Sequence, residues 1–190
     1  MKEDFLNAFA NIKRENSQAL LEYLEKSDFF VAPSSTKFHS ACEGGLCDHS
    51  VNVFNRLLAL IKAEYGEDFE QKYSLETIAI CGLLHDLCKI NYYKIDYRNT
   101  KENGVWVQKP FYTIDDALPY GHGEKSVYIV NGFIRLSREE AMAINWHMGG
   151  FDLRVKGGSY SLSQAYEEFP LCLHLHIADM QASYLDEGRE

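Results

Sequence analysis

No stretch of this chain approaches the ~20 consecutive apolar residues of a membrane-spanning helix, so no membrane partner is expected. Basic charge is scarce too. Lys and Arg number 19 against 28 Asp and Glu, a net charge of -9 with His neutral. That argues against a nucleic-acid-coating role, which needs a basic surface. It leaves open a small anionic substrate held locally. The opening Met1-Lys2-Glu3-Asp4 lacks the basic-then-apolar pattern of a signal peptide, and the cytoplasm is the expected location. Cysteine is sparse and odd in number, five in all, which fits reduced thiols rather than a disulfide framework. Cys42, Cys47 and His49 imitate part of a zinc site, but no second Cys pair at zinc spacing follows. Cys81, Cys88 and Cys172 read as small core residues. Repeats, low-complexity segments and linkers are absent. What remains is 190 residues with 46% hydrophobic and 25% charged content, enough for one domain with a real core.

The periodicity is mostly helical. Phe5, Phe9, Ile12, Ala19 and Tyr23 predict a helix over about 3–26. Residues 33–45 form a Ser- and Gly-rich loop. A helix follows over about 49–65, with Asp48 a candidate N-cap and an apolar stripe wide enough to be buried on several sides. Ser74 can cap the next helix, about 75–88. Residues 91–114 break the pattern: Tyr92 to Tyr97 and Val105-Trp106-Val107 flank Asn103-Gly104, a strong hairpin turn. Helices resume at about 122–135 and 138–147, the second opened by a Ser137/Glu140 capping box and stopped at Gly149-Gly150. Ser161 with Gln164 resembles another capping box. Pro170 suits the first turn of a last helix, about 170–186. The expected fold is all-α, a helical bundle with a small inserted β-hairpin.

One feature stands against the core it sits in. His85-Asp86 closes the apolar run Ile78-Ala79-Ile80-Cys81-Gly82-Leu83-Leu84. An unpaired charge there is costly, and a bound metal ion is the simplest reason for it. Further candidate ligands are His49, His122, His147 and Asp179. They lie on different predicted helices, and bundles build metal sites from facing helices in this way. Each also has a plain reading as a hydrogen-bonded core residue. Imidazole with carboxylate suits Fe, Mn, Zn, Co or Ni better than Ca.

The segments Gly44-Gly45-Leu46-Cys47-Asp48-His49-Ser50, Leu83-Leu84-His85-Asp86-Leu87-Cys88-Lys89 and His176-Ile177-Ala178-Asp179 resemble the H…HD…D signature of HD-domain metal-dependent phosphohydrolases. Gly121-His122-Gly123-Glu124-Lys125-Ser126 and Trp146-His147-Met148-Gly149-Gly150 are similar to segments of the dinuclear members. The likeness runs from about residue 40 to 185 and departs at Cys88, where many relatives have Gly. It implies an HD-like bundle over 1–190, with residues 1–40 an N-terminal helix and loop and 41–190 the metal-binding core. It implies that His49, His85, Asp86 and Asp179 hold one ion. His122 and His147 would hold a second (Fe, Mn, Co, Ni, Zn or Mg), with Asp86 bridging. Two such ions with both Asp residues and a bridging hydroxide carry a net charge of roughly +1, which attracts phosphate. The implied activity is hydrolysis of a nucleotide or related phosphoester by metal-activated hydroxide, with Asp86 and Lys89 in the catalytic centre.

Lys89 and Lys125 are the candidate phosphate contacts, each weighed against a solvated surface lysine. His176 reads as a partner of Asp179 or as a packed residue. His39 reads as a surface residue, and Asp115, Asp116 and Glu124 as a solvated face, with Glu124 placed to tune His122. The hairpin aromatics Tyr92, Tyr93, Tyr97, Trp106, Phe111 and Tyr112 either wall the site and stack a base or pack the hairpin onto the bundle. Three alternatives stay open. The same ligand set serves di-iron oxygenases. Two segments are similar to the HD domain of bacterial 3′-to-5′ exoribonucleases, a reading weakened by the lack of an attached nucleic-acid-binding domain. A non-catalytic nucleotide-binding module is the third.

Overall fold

The computed structural model describes residues 1–187. Amphipathic and fully apolar segments make it mostly helical, with one two-stranded antiparallel sheet. The helices are α1 (Lys2–Phe9), α2 (Ser17–Lys26), α3 (Gly45–Tyr65), α4 (Leu75–Leu84), α5 (His122–Asn131), α6 (Arg138–Trp146), α7 (Leu153–Lys156), α8 (Ser161–Glu168) and α9 (Pro170–Gln181). Strands β1 (Tyr93–Glu102) and β2 (Val105–Ile114) form the hairpin.

Helix α3 lies at the centre, against α1, α4 and α9, while α6 packs on α9 and α5 on α6. The core is one continuous cluster, from Phe5 and Leu20 through Leu57, Ile80 and Leu84 to Ile144, Leu175 and Ala182. Two glycines let helices meet at backbone distance. A Cβ on Gly82 of α4 would lie 2.6 Å from Phe54 Cα in α3. A Cβ on Gly123 of α5 would lie 2.2 Å from the Asn145 carbonyl oxygen in α6. These contacts bring His49 toward His85, and His122 toward His147.

Local signals explain most boundaries. The Ser74 side chain accepts from Thr77 N–H, and the Ser137/Glu140 capping box is formed in full. Pro170 opens α9. Asn103 and Gly104 both have positive φ, at 49° and 87°, as a two-residue hairpin turn of this hand requires.

Five expectations change. The single helix over about 3–26 is two, broken before Ser17 where Asn16 adopts φ 65°. Helix α3 starts at Gly45 behind Gly44, so Asp48 lies in its first turn and is not its cap. Ser161 is the first residue of α8, not its cap, and Gln164 bonds Glu168 instead. Helix α4 ends at Leu84, before the His-Asp pair, and a 3₁₀ turn follows at Leu87–Lys89. The last helix likewise gives way to a π turn at Ala182–Asp186.

Candidate metal centre

The end of α4 sets the geometry. Asp86, at φ -107° and ψ 21°, leaves the helix, so its carboxylate and the His85 ring turn toward one point. His49 arrives from the second turn of α3, His122 from the first residue of α5, His147 from the end of α6 and Asp179 from α9. All six candidates come together, and His49, His85, Asp86 and His147 are buried. His49 Nε2 lies 3.4 Å from Asp86 Oδ2 and 3.4 Å from Asp179 Oδ1. His85 Nε2 lies 3.2 Å from His49 Nε2 and 3.6 Å from Asp86 Oδ2. On the other side, Asp86 Oδ1 lies 2.8 Å from His122 Nε2 and 3.4 Å from His147 Nε2.

The imidazoles are oriented from behind. His49 Nδ1–H donates to Glu187 at 3.0 Å, His85 Nδ1–H to the Gly82 carbonyl at 2.9 Å, and His147 Nδ1–H to the Ile144 carbonyl at 2.7 Å. A proton held on Nδ1 leaves the Nε2 lone pair facing the centre, the arrangement of metal-ligating histidines. His147 Nε2 is buried and makes no well-aligned hydrogen bond among the described residues, its acceptor Asp86 Oδ1 lying 3.4 Å away. That is a costly state for a polar atom, and a cation would relieve it.

The charges point the same way. Burial alone would raise the Asp86 carboxyl, but Lys89, His85, His122 and His147 hold it well below the usual carboxylate range. Burial opposes a proton on His49, yet Asp179, Asp86 and Glu187 raise it well above the ordinary imidazole value. Burial pushes His85 down to about 3. The pocket therefore carries surplus negative charge that recruits positive partners, a proton on His49 or a cation in its place. Among the described residues, four sets of donors in and around it could hold a metal ion: His39 with His49 and Glu187; His49, His85 and Asp179; His85, Asp86 and His147; and Asp86, Cys88 and His122.

A cavity of about 610 Å³ opens beside the cluster, lined by Asp86, Lys89, His122 and Asp179 and walled by Tyr92 and Tyr93. Lys89 is buried and ion-pairs with Asp86 Oδ2 at 2.6 Å, so it is no solvated lysine. Lys125 is buried too, but its Nζ meets Asp116 Oδ1 at 2.5 Å and covers the Tyr92 ring. It lines a different cavity, about 740 Å³, between α2 and α5, where no imidazole or carboxylate is found among the described residues. Only the base of the hairpin reaches the site, since Tyr97 and Trp106 are exposed.

Among the other residues, some depart from expectation and some meet it. His39 is not a surface residue: its ring lies 5.0 Å from that of His49 and it lines the cavity. His176 Nδ1–H donates to the His147 carbonyl at 2.7 Å, fixing the turn after α6. Asp116 is engaged by Lys125, whereas Asp115 is solvated beside Lys94. Glu124 ion-pairs with Arg154 at 2.6 Å, and Arg154 also stacks on Trp146 and bonds Asp152, tying α5, α6 and α7 together. Glu187 is a site residue that the motif pattern missed. Its isolated position in a polar tail carried no periodic signal.

Fold and site together define a mostly helical protein with buried His, Asp and Cys groups able to hold a metal ion. Comparison of the chain with protein-family models, with curated proteins and with solved structures returned no match. No helix among the described residues is long and apolar enough to cross a membrane.

Proposed function

We propose that this chain is an HD-type metal-dependent phosphohydrolase or phosphodiesterase that takes two divalent ions and acts on a nucleotide or related phosphoester. The observation that carries the reading is the division of Asp86: Oδ2 faces His49 and His85, and Oδ1 faces His122 and His147. A carboxylate shared in this way is suited to bridging two ions. His49, His85, Asp86 and Asp179 would hold the first ion, and Asp86, His122 and His147 the second. When bound, such ions lower the pKa of water to about 7 and stabilise developing negative charge on a phosphoryl group.

The chain's own residues supply the rest. The Nδ1 bonds orient three imidazoles before any ion arrives. Lys89 pairs with Asp86 at the cavity wall, where it would meet a phosphate oxygen of a bound substrate. Lys125 is set aside as a phosphate contact because it lines the other cavity and pairs with Asp116, whereas Lys89 and Lys156 line the cavity beside the cluster. Tyr92 and Tyr93 offer aromatic surface to the rest of the substrate.

Metal analysis of the purified protein, followed by a phosphoester panel with each ion restored, tests the reading. Two ions per chain and hydrolysis that Asp86→Asn removes are expected. Absence of metal, or full turnover by Asp86→Asn, overturns it. Oxygen uptake by an iron-loaded sample would instead assign the oxygenase chemistry that the same donors serve.

A further inference from the structure

The loop between α2 and α3 has no part in the function proposed above, yet Ser34, Phe38 and His39 line the same cavity as Asp86 and Lys89. The loop is closed on itself. Ser34 N–H donates to the Ser40 carbonyl at 3.0 Å, Ser35 Oγ donates to the His39 carbonyl at 2.9 Å, and Phe38 N–H donates to Ser35 Oγ at 2.8 Å. It is also tied to its surroundings. Tyr93 Oη donates to the Ser34 carbonyl at 3.0 Å, and Ser40 Oγ donates at 2.9 Å to Glu187, the carboxylate that orients His49. Two polar atoms of this well-bonded loop are left over. Ser34 Oγ and His39 Nε2 are buried, and neither has a hydrogen-bond partner among the described residues. The whole Ser34 side chain is out of solvent. A buried polar atom without a partner is costly, and two of them in one cavity-lining loop mark a place where a ligand supplies the missing bonds.

We infer that Ser34 and His39 form a recognition site for a sugar hydroxyl, so that the substrate is the phosphoester of a ribonucleotide and not of its deoxy analogue. The inference rests on the phosphohydrolase reading above. The anionic part of such a substrate is drawn to Lys89 and the metal ligands in the same cavity. A serine hydroxyl and a neutral imidazole carry no charge, and between them they give and take hydrogen bonds, as a hydroxyl requires of its partners. The half-exposed Phe38 ring beside them adds apolar surface for the carbon face of a sugar. A ribose hydroxyl is both donor and acceptor, and bonding to it is how a protein tells ribose from deoxyribose. A site built for a hydroxyl rejects the analogue that lacks one, because its own buried atoms then stay unpaired.

The test compares adenosine 5′-phosphate and its p-nitrophenyl ester with the 2′-deoxy and 3′-deoxy analogues of each, on the full-length protein with metal restored. The wild type should favour the ribose form over at least one deoxy analogue by about tenfold or more in kcat/KM. Ser34→Ala and His39→Phe should each shrink that preference to about twofold. Thermal melting separates recognition from a structural role. Removing a hydroxyl that has no partner should leave the Tm of Ser34→Ala unchanged or raised. Equal kcat/KM for ribose and deoxyribose forms, a preference that either variant keeps in full, or a lowered Tm for Ser34→Ala overturns the inference and leaves the phosphohydrolase reading standing. Turnover of other phosphoesters but of none of these nucleotides does the same. No phosphoester hydrolysis at all overturns both.

Discussion

Glu187 accepts the Nδ1–H of His49 across 3.0 Å, behind the face that His49 turns to Asp86 and Asp179. Asn52 and Ser40 donate to the same carboxylate, so it is held from three sides. A carboxylate in this position fixes the imidazole tautomer and raises its basicity as a ligand. Glu187→Ala should weaken metal binding about 10–100-fold, as competition with a chromogenic chelator would measure. Unchanged affinity would leave Glu187 a purely structural residue.

Lys89 makes a close ion pair with Asp86 in a nearly water-free wall. Lys89→Met should leave bound metal unchanged but raise KM for a phosphoester about tenfold, equivalent to about 1.4 kcal/mol of lost binding. A loss of metal with no change in KM would make Lys89 a support for Asp86 instead of a substrate contact.

Glu140 gives a pH-dependent term remote from the metal centre. Arg14 clamps it through two bonds of 2.7 Å, and Thr77 and the Ser137 N–H complete its partners. Burial pushes its carboxyl up, but Arg14, Ser137 and Thr77 together bring it below the ordinary 4.5. A depressed folded-state value means stability that is fully present above the unfolded value and lost as pH falls through the folded one. Chemical denaturation from pH 7 downward should show this contribution fading below about 4.5. Glu140→Gln should cost about 2 kcal/mol at pH 7, less than for a fully buried pair because Arg14 keeps a route to water. Its stability should also fall less steeply in acid, and parallel wild-type and variant curves would contradict the assignment.

Gly82 is required by the approach of α4 to α3. A methyl there meets Phe54 Cα at 2.6 Å and Phe54 N at 3.0 Å, both backbone atoms that cannot swing aside. Gly82→Ala should cost about 3 kcal/mol through overpacking, seen as a lower Tm. It should weaken metal binding as well, because it separates the helices that carry His49 and lead into His85. An unchanged Tm would mean the helices part at no cost.

The helices and the hairpin were legible because each rests on short-range rules, whereas the six candidate ligands were legible only through residue type and the likeness to the HD-type motif order. Apolar spacing marks a buried face, Ser137 with Glu140 marks a helix start, and Asn103-Gly104 accepts the positive φ of a tight turn. The break at Asn16 was hidden because a left-handed residue interrupts a helix without disturbing the apolar spacing on either side. The Ser161 pattern misled because the helix starts one residue earlier than the pattern implies, with Tyr160 in the cap position in αR geometry and no side-chain cap bond.

The sequence by itself determined which groups are expensive to bury. A His-Asp pair at the end of an apolar run demands a partner, wherever the chain folds it. Tertiary structure alone decided who the partners are. Lys89 and Lys125 look alike in sequence, yet helix packing sets one against Asp86 and the other against Asp116. Glu187 and His39 reach His49 only because α3 and α9 pack together and the loop before α3 folds over its start. Those contacts are long-range, and a short motif carries no information about a neighbour more than a hundred residues away. The division of Asp86 between two pairs of histidines belongs to the fold for the same reason.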